Sequence, residues 1–106
     1  MNRRSAPRFE LAAEVTLVTA GPDGPELSAG RTTEVSLGGC TVELDQPLEG
    51  ACPSGVLLVR VDGRELTMLT APITGHAAAA ERVGLRFVAP TEADTAWAEL
   101  IESLAP

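Results

Sequence analysis

Two adjacent glycines, Gly38 and Gly39, interrupt what otherwise reads as one continuous strand from Glu34 to Leu44, E-V-S-L-G-G-C-T-V-E-L. A strand broken in this way either turns back on itself or presents bare backbone. In the first case the stretch is a tight hairpin between two strands, with a bulge at the glycines. In the second, positive φ and close backbone approach let the amides of Gly38 and Gly39 face an anion or a planar ligand. Ser36 then adds a hydroxyl, and Glu34, two residues earlier on the same strand face, adds an acceptor-only carboxylate. This stretch alone leaves both readings open.

The flanking sequence repeats the strand period. From Phe9 to Thr19, Leu11, Ala13, Val15 and Leu17 alternate with Glu10, Glu14 and Thr16, the pattern of a half-buried strand. Gly21-Pro22-Asp23-Gly24-Pro25 is turn chemistry and leads into a second strand over about Leu27 to Val35. Cys40, Val42 and Leu44 carry a third, and Gln46 to Gly55 is a Pro- and Gly-containing loop. Val56 to Val61 is a fourth strand, and Asp62-Gly63 is a type I′ hairpin signal before the strand that returns from Arg64. Pro72 and Gly75 predict a bend or bulge in that fifth strand, which runs to about Ala77. The last strand covers Arg82 to Val88, with Val83, Leu85 and Phe87 inward and Arg86 outward.

Pro90-Thr91 opens a helix, with Thr91 as N-cap and Asp94, three residues later, as a weaker form of the capping-box acid. Trp97, Leu100, Ile101 and Leu104 form one apolar stripe. So short a helix must pack on something, most simply across the end or side of a barrel. Trp97 can stack on a ligand, but its place in the stripe favours core packing.

Composition narrows the function. A chain of 106 residues has room for one domain. Its net charge is -7 and all its basic side chains are arginine, which argues against broad binding to DNA or to anionic membranes. Any anion must be held locally. Cys40 and Cys52 lack C-x-x-C spacing and His76 stands alone, so no metal site is indicated, and two reduced thiols are the favoured reading. Ser36 and His76 have no activating partners for nucleophilic catalysis, so no enzyme is expected. With no apolar run long enough to span a bilayer and no signal-peptide core, a soluble, cytoplasmic protein is expected.

Against this acidic background, Arg3, Arg4 and Arg8 stand in M-N-R-R-S-A-P-R-F ahead of any acidic residue. On their own they would be a solvated basic arm. Arg4 and Arg8 have the spacing R-x-x-x-R, Glu34-x-Ser36-x-x-Gly39 follows, and Gly84 to Phe87 reads G-L-R-F. In that order the three motifs resemble the PilZ family of bacterial cyclic di-GMP-binding domains. Its pattern is R-x-x-x-R before the first barrel strand, then Asp or Asn-x-Ser-x-x-Gly, then a closing strand of the type G-x-R-F. One position departs: Glu34 stands where the family has Asp or Asn.

The resemblance covers most of the chain. It implies an all-β fold: a six-stranded antiparallel β-barrel with a flexible N-terminal arm and a C-terminal α-helix. The expected layout is a single PilZ domain over residues 1–106, with the arm at 1–8, the barrel at 9–89 and the helix at 91–104. It also implies a ligand, cyclic di-GMP, and a site built from Arg3, Arg4, Arg8, Glu34, Ser36, Gly38 and Gly39.

The chemistry of guanine suits that set. Its O6 and N7 accept from an arginine fork, and its N1–H and N2–H₂ donate to a carboxylate. Binding is expected to order the arm against the barrel. In the family, an arginine at the position of Arg3 is associated with an intercalated pair of ligand molecules. A chain that begins at Met and has no second domain is expected to pass its output to an unidentified effector protein. The alternative is a PilZ-fold protein-interaction adaptor that no longer binds cyclic di-GMP, and Glu34 is the feature that keeps it open.

Overall fold

The computed structural model describes residues 8–21, 23–46, 54–73, 81–89 and 91–104. Among the described residues, seven strands and one helix follow in chain order. They are β1 (Phe9–Glu10), β2 (Glu14–Gly21), β3 (Gly24–Ser36), β4 (Gly39–Leu44), β5 (Gly55–Val61), β6 (Arg64–Pro72), β7 (Arg82–Ala89) and α1 (Asp94–Leu104).

Every pairing is antiparallel. The order β3-β2-β5-β6-β7-β4 closes through β3–β4 into a six-stranded barrel, with β1 as an extra short strand on β3. Closure removes sheet edges, so a chain with few aromatics can satisfy its backbone around a core of aliphatic side chains. That core contains Val15, Leu17, Val35, Val42, Leu57, Val59, Met68, Val83 and Leu85, each 2 % exposed or less. Nearly all are the inward members of the alternating runs.

The first strand, expected as one run from Phe9 to Thr19, divides in two. Thr32 is the cause. Fully buried on β3, it accepts a hydrogen bond from Ala13 N–H through its hydroxyl at 2.9 Å and donates the same hydroxyl to the Leu11 carbonyl. Its own N–H donates to the Ala13 carbonyl at 2.9 Å. A side chain thus takes a backbone position in the ladder, and residues 11–13 leave strand geometry while staying satisfied.

Asp62 and Gly63 form the expected two-residue turn, with φ of 51° and 77°. Both are positive, as a type I′ turn requires. In the β6–β7 pairing the register slips between Leu69 and Thr70, and Pro72 ends β6. Gly75, His76, Cys52 and most of the loop expected over Gln46 to Gly55 lie outside the described residues.

The helix begins at Asp94, three residues after Thr91. Trp97 N–H donates to the Ala93 carbonyl at 2.8 Å, which makes Ala93 the capping position. Thr91 still serves the helix start: its hydroxyl accepts from Ala93 N–H at 3.1 Å and donates to the Thr67 carbonyl at 2.9 Å. The helix is thereby tied to β6. Trp97 and Ile101 are buried in the same core as the strands, with Leu100 and Leu104 partly buried against it. Phe87 of β7 meets Trp97 edge to face, ring centroids 5.0 Å apart at 90°. Trp97 is therefore a core residue.

Candidate functional site

A bulge in β3 orients the site. The β3–β4 register shifts between Thr32 and Glu34, leaving Thr33 as the extra residue. Strict alternation from buried Thr32 would turn Glu34 inward, but the insertion moves Glu34 and Ser36 to the outer side while Val35 enters the core. One inserted residue changes the face on which the carboxylate appears.

β1 brings an arginine to that face. Phe9 stands opposite Val35 and Glu10 opposite Glu34, so Arg8 arrives beside the end of β3. Its Nη1 donates to Glu34 Oε1 at 3.0 Å. The two side chains are 50 % and 41 % exposed, so water screens the pair and it contributes at most about 1 kcal/mol to stability. Held at this distance, arginine and carboxylate cannot take opposite edges of one base between them. A ligand must separate them.

The glycine pair resolves as a hairpin. Ser36 pairs with Gly39 across the two-residue turn Leu37–Gly38, and the Ser36 hydroxyl donates to the Gly39 carbonyl at 3.3 Å. Positive φ at these glycines is not found: among the described glycines it belongs to Gly24 and Gly63. Gly39 is needed for a different reason. A Cβ there would lie 2.2 Å from the Leu85 carbonyl oxygen, so the close approach is to the neighbouring strand. At Gly38 a Cβ would meet nothing within 4 Å.

Arg8, Glu34, Gly38 and Gly39 line one cleft of about 70 Å³ together with Thr41, Ile73 and Arg86. Ser36 supports the turn at its margin. Arg3 and Arg4 lie outside the described residues. Sequence reasoning placed Arg86 on the outer face of the last strand without assigning it to the site; its place beside Gly39 follows from the β4–β7 register. A roomier cleft of about 490 Å³ lies between Leu37, Met68, Phe87, Val88 and the helix, and among the described residues its charged member is Asp94. An apolar wall with a carboxylate is the wrong chemistry for an anion. The smaller cleft, with two arginines, is the better candidate. Cys40 borders it, but burial pushes its thiol up to about 12, so it stays protonated and unreactive at neutral pH.

The model of the PilZ domain family matches residues 2–105. The chain belongs to the PilZ family. Among solved structures, this PilZ barrel is similar to the PilZ domain of CeSA from a cellulose-synthesizing bacterium, with a TM-score of 0.66, 22 % identity, and 92 % of this chain and 97 % of that one covered. YcgR of Escherichia coli in complex with c-di-GMP matches with a TM-score of 0.64 and 20 % identity, over 98 % of this chain and 46 % of that one. The isolated PilZ domain of YcgR with c-di-GMP gives a TM-score of 0.64 and 16 % identity, over 97 % and 92 %. No curated protein matches the chain. At these identities the likeness establishes the PilZ fold. Among the described residues no helix is long and apolar enough to cross a membrane.

Proposed function

We propose that this chain is a receptor for cyclic di-GMP, a binding module rather than an enzyme. The observation that carries the reading is the meeting of Arg8 and Glu34 on one surface beside Gly38 and Gly39. These residues belong to two motifs 26 positions apart, and each offers what one edge of guanine lacks. Two solved structures of one PilZ relative, YcgR, hold c-di-GMP, which supports the same ligand class here.

On binding, Arg8 leaves Glu34 for the base or a phosphate, and Glu34 accepts from N1–H and N2–H₂. Breaking a half-exposed pair costs about 1 kcal/mol or less, while each charge-assisted hydrogen bond to the ligand is worth about 1.5–3 kcal/mol. A cleft of about 70 Å³ is far smaller than ligand pockets of about 300 Å³ or more, so the ligand lies on an open surface. Arg3 and Arg4 close over it as the arm, residues 1–8, folds onto the nucleotide. The rearranged arm is the signal, read by an effector protein.

Calorimetric titration with cyclic di-GMP tests the reading. Saturable binding, weakened in Arg8→Ala, is expected; no heat at high micromolar ligand with folded protein overturns it. The adaptor alternative draws on the apolar cleft beside Leu37 and Val88, both exposed, and on Glu34 in place of the family's Asp or Asn.

A further inference from the structure

Resting on the cyclic di-GMP reading above, we propose that Arg86 is a further ligand-contacting residue, whose guanidinium takes a phosphate oxygen of the dinucleotide. Arg86 lines the same cleft as Arg8, Glu34 and Gly39.

The first argument is charge. Arg8 is offset by Glu34 at 3.0 Å, Arg82 by Glu43 at 3.4 Å and Arg60 by Glu65 at 3.2 Å. Arg86 forms no ion pair with a described residue. The cation that the cleft holds in surplus is thus Arg86, and surplus positive charge selects an anionic group.

The second argument is placement. Arg86 pairs with Gly39 on one side and Ala71 on the other, so its backbone is held by two ladders, whereas Arg8 precedes a strand of two residues. Its cross-strand neighbour Gly39 has no side chain to lie over it, and a Cβ there would stand 3.1 Å from Arg86 Cα. Gly39 therefore places no side chain beside Arg86 on the wall of the cleft. An arginine carried on a doubly paired strand has less backbone to order on binding than one on an arm.

The assignment to phosphate rather than base follows from the partners. Glu34 and Arg8 offer guanine an acceptor and a donor fork, and what this neutral pair leaves unmatched is the charge of the diester. A phosphate accepts a point charge, so lysine can replace arginine at this position; at a bidentate base edge it cannot.

The test is calorimetric titration of the full chain with cyclic di-GMP at two salt concentrations, with folding checked by circular dichroism. Arg86→Ala is expected to weaken binding about tenfold or more and to flatten its salt dependence, as expected for a lost phosphate contact. Arg86→Lys is expected to stay within about threefold of the native protein, and Arg82→Ala to match it. Arg86→Gln keeps the aliphatic stem and gives the same loss if the alanine variant unfolds. Two folded variants, Arg86→Ala and Arg86→Gln, binding as the native chain does while Arg8→Ala weakens it would overturn the inference and leave the receptor reading standing. Equal losses in Arg86→Lys and Arg86→Ala would overturn the phosphate assignment. A native chain that does not bind at all removes the receptor reading, and the inference with it.

Discussion

The indole N–H of Trp97 donates to the carbonyl oxygen of Ser36 at 2.9 Å, joining the C-terminal helix to the last residue of the strand that carries the glycine-turn motif. The two residues are 61 positions apart. The contact holds the end of β3 from the core side while Ser36 presents its hydroxyl to the turn. Helix docking and the shape of the candidate site are therefore coupled.

Trp97→Phe keeps an aromatic ring against Phe87 but removes the donor. The change is expected to cost about 1–3 kcal/mol, because the partly buried Ser36 carbonyl loses the indole donor and the smaller ring fills less of the core. Trp97→Ala adds a cavity and is expected to cost about 3–5 kcal/mol. Urea unfolding followed by circular dichroism measures both. Equal stability of Trp97→Phe and the native protein would contradict this expectation.

Gly39→Ala should destabilise the barrel, since its Cβ would meet the Leu85 carbonyl oxygen at 2.2 Å and β4 must move away from β7. A cost of about 2 kcal/mol or more is expected, in the range of overpacked sites. Gly38→Ala should fold as the native chain does, its Cβ standing in open space. Any effect of Gly38→Ala then appears in ligand binding. Thermal melts of the two variants separate these outcomes, and a reversed order of stability refutes the argument.

The extra methylene of Glu34, compared with aspartate, adds reach and one rotor to be frozen. Glu34→Asp is expected to bind cyclic di-GMP at least as tightly as the native protein, and Glu34→Ala less tightly. Arg4→Ala and Arg8→Ala should each weaken binding by about 2 kcal/mol, with fold stability changed by less than about 1 kcal/mol because the Arg8–Glu34 pair is half exposed. Should Glu34→Asp abolish binding, the carboxylate serves another ligand or a structural purpose.

Arg3 bears on stoichiometry. A stacked pair of cyclic dinucleotides carries four phosphate charges and exposes additional purine faces, which a third guanidinium can offset and cover. Two molecules per chain are expected for the native protein and one for Arg3→Leu. Analytical titration against a concentration-verified protein reads the ratio directly; native saturation at one, or Arg3→Leu saturation at two, contradicts the expectation.

The sequence by itself determined what local chemistry controls. Alternation assigned Val15, Leu17, Val42 and Leu85 to the interior, the Asp62-Gly63 pair set a turn with positive φ at both residues, and Trp97 and Ile101 marked the buried stripe of the helix. Three short motifs also identified the family before any residue was placed in space. Tertiary structure decided which residues face one another. Period-2 patterning names a face but not a register, and a single inserted residue reverses the face beyond it. The bulge at Thr33, the hydroxyl of Thr32 standing in the β3 ladder, the Arg8–Glu34 contact and the arrival of Arg86 opposite Gly39 all depend on how the strands pair in the folded chain. Apart from the bulge, those contacts join positions 19 or more residues apart, and no local propensity encodes the distance between them.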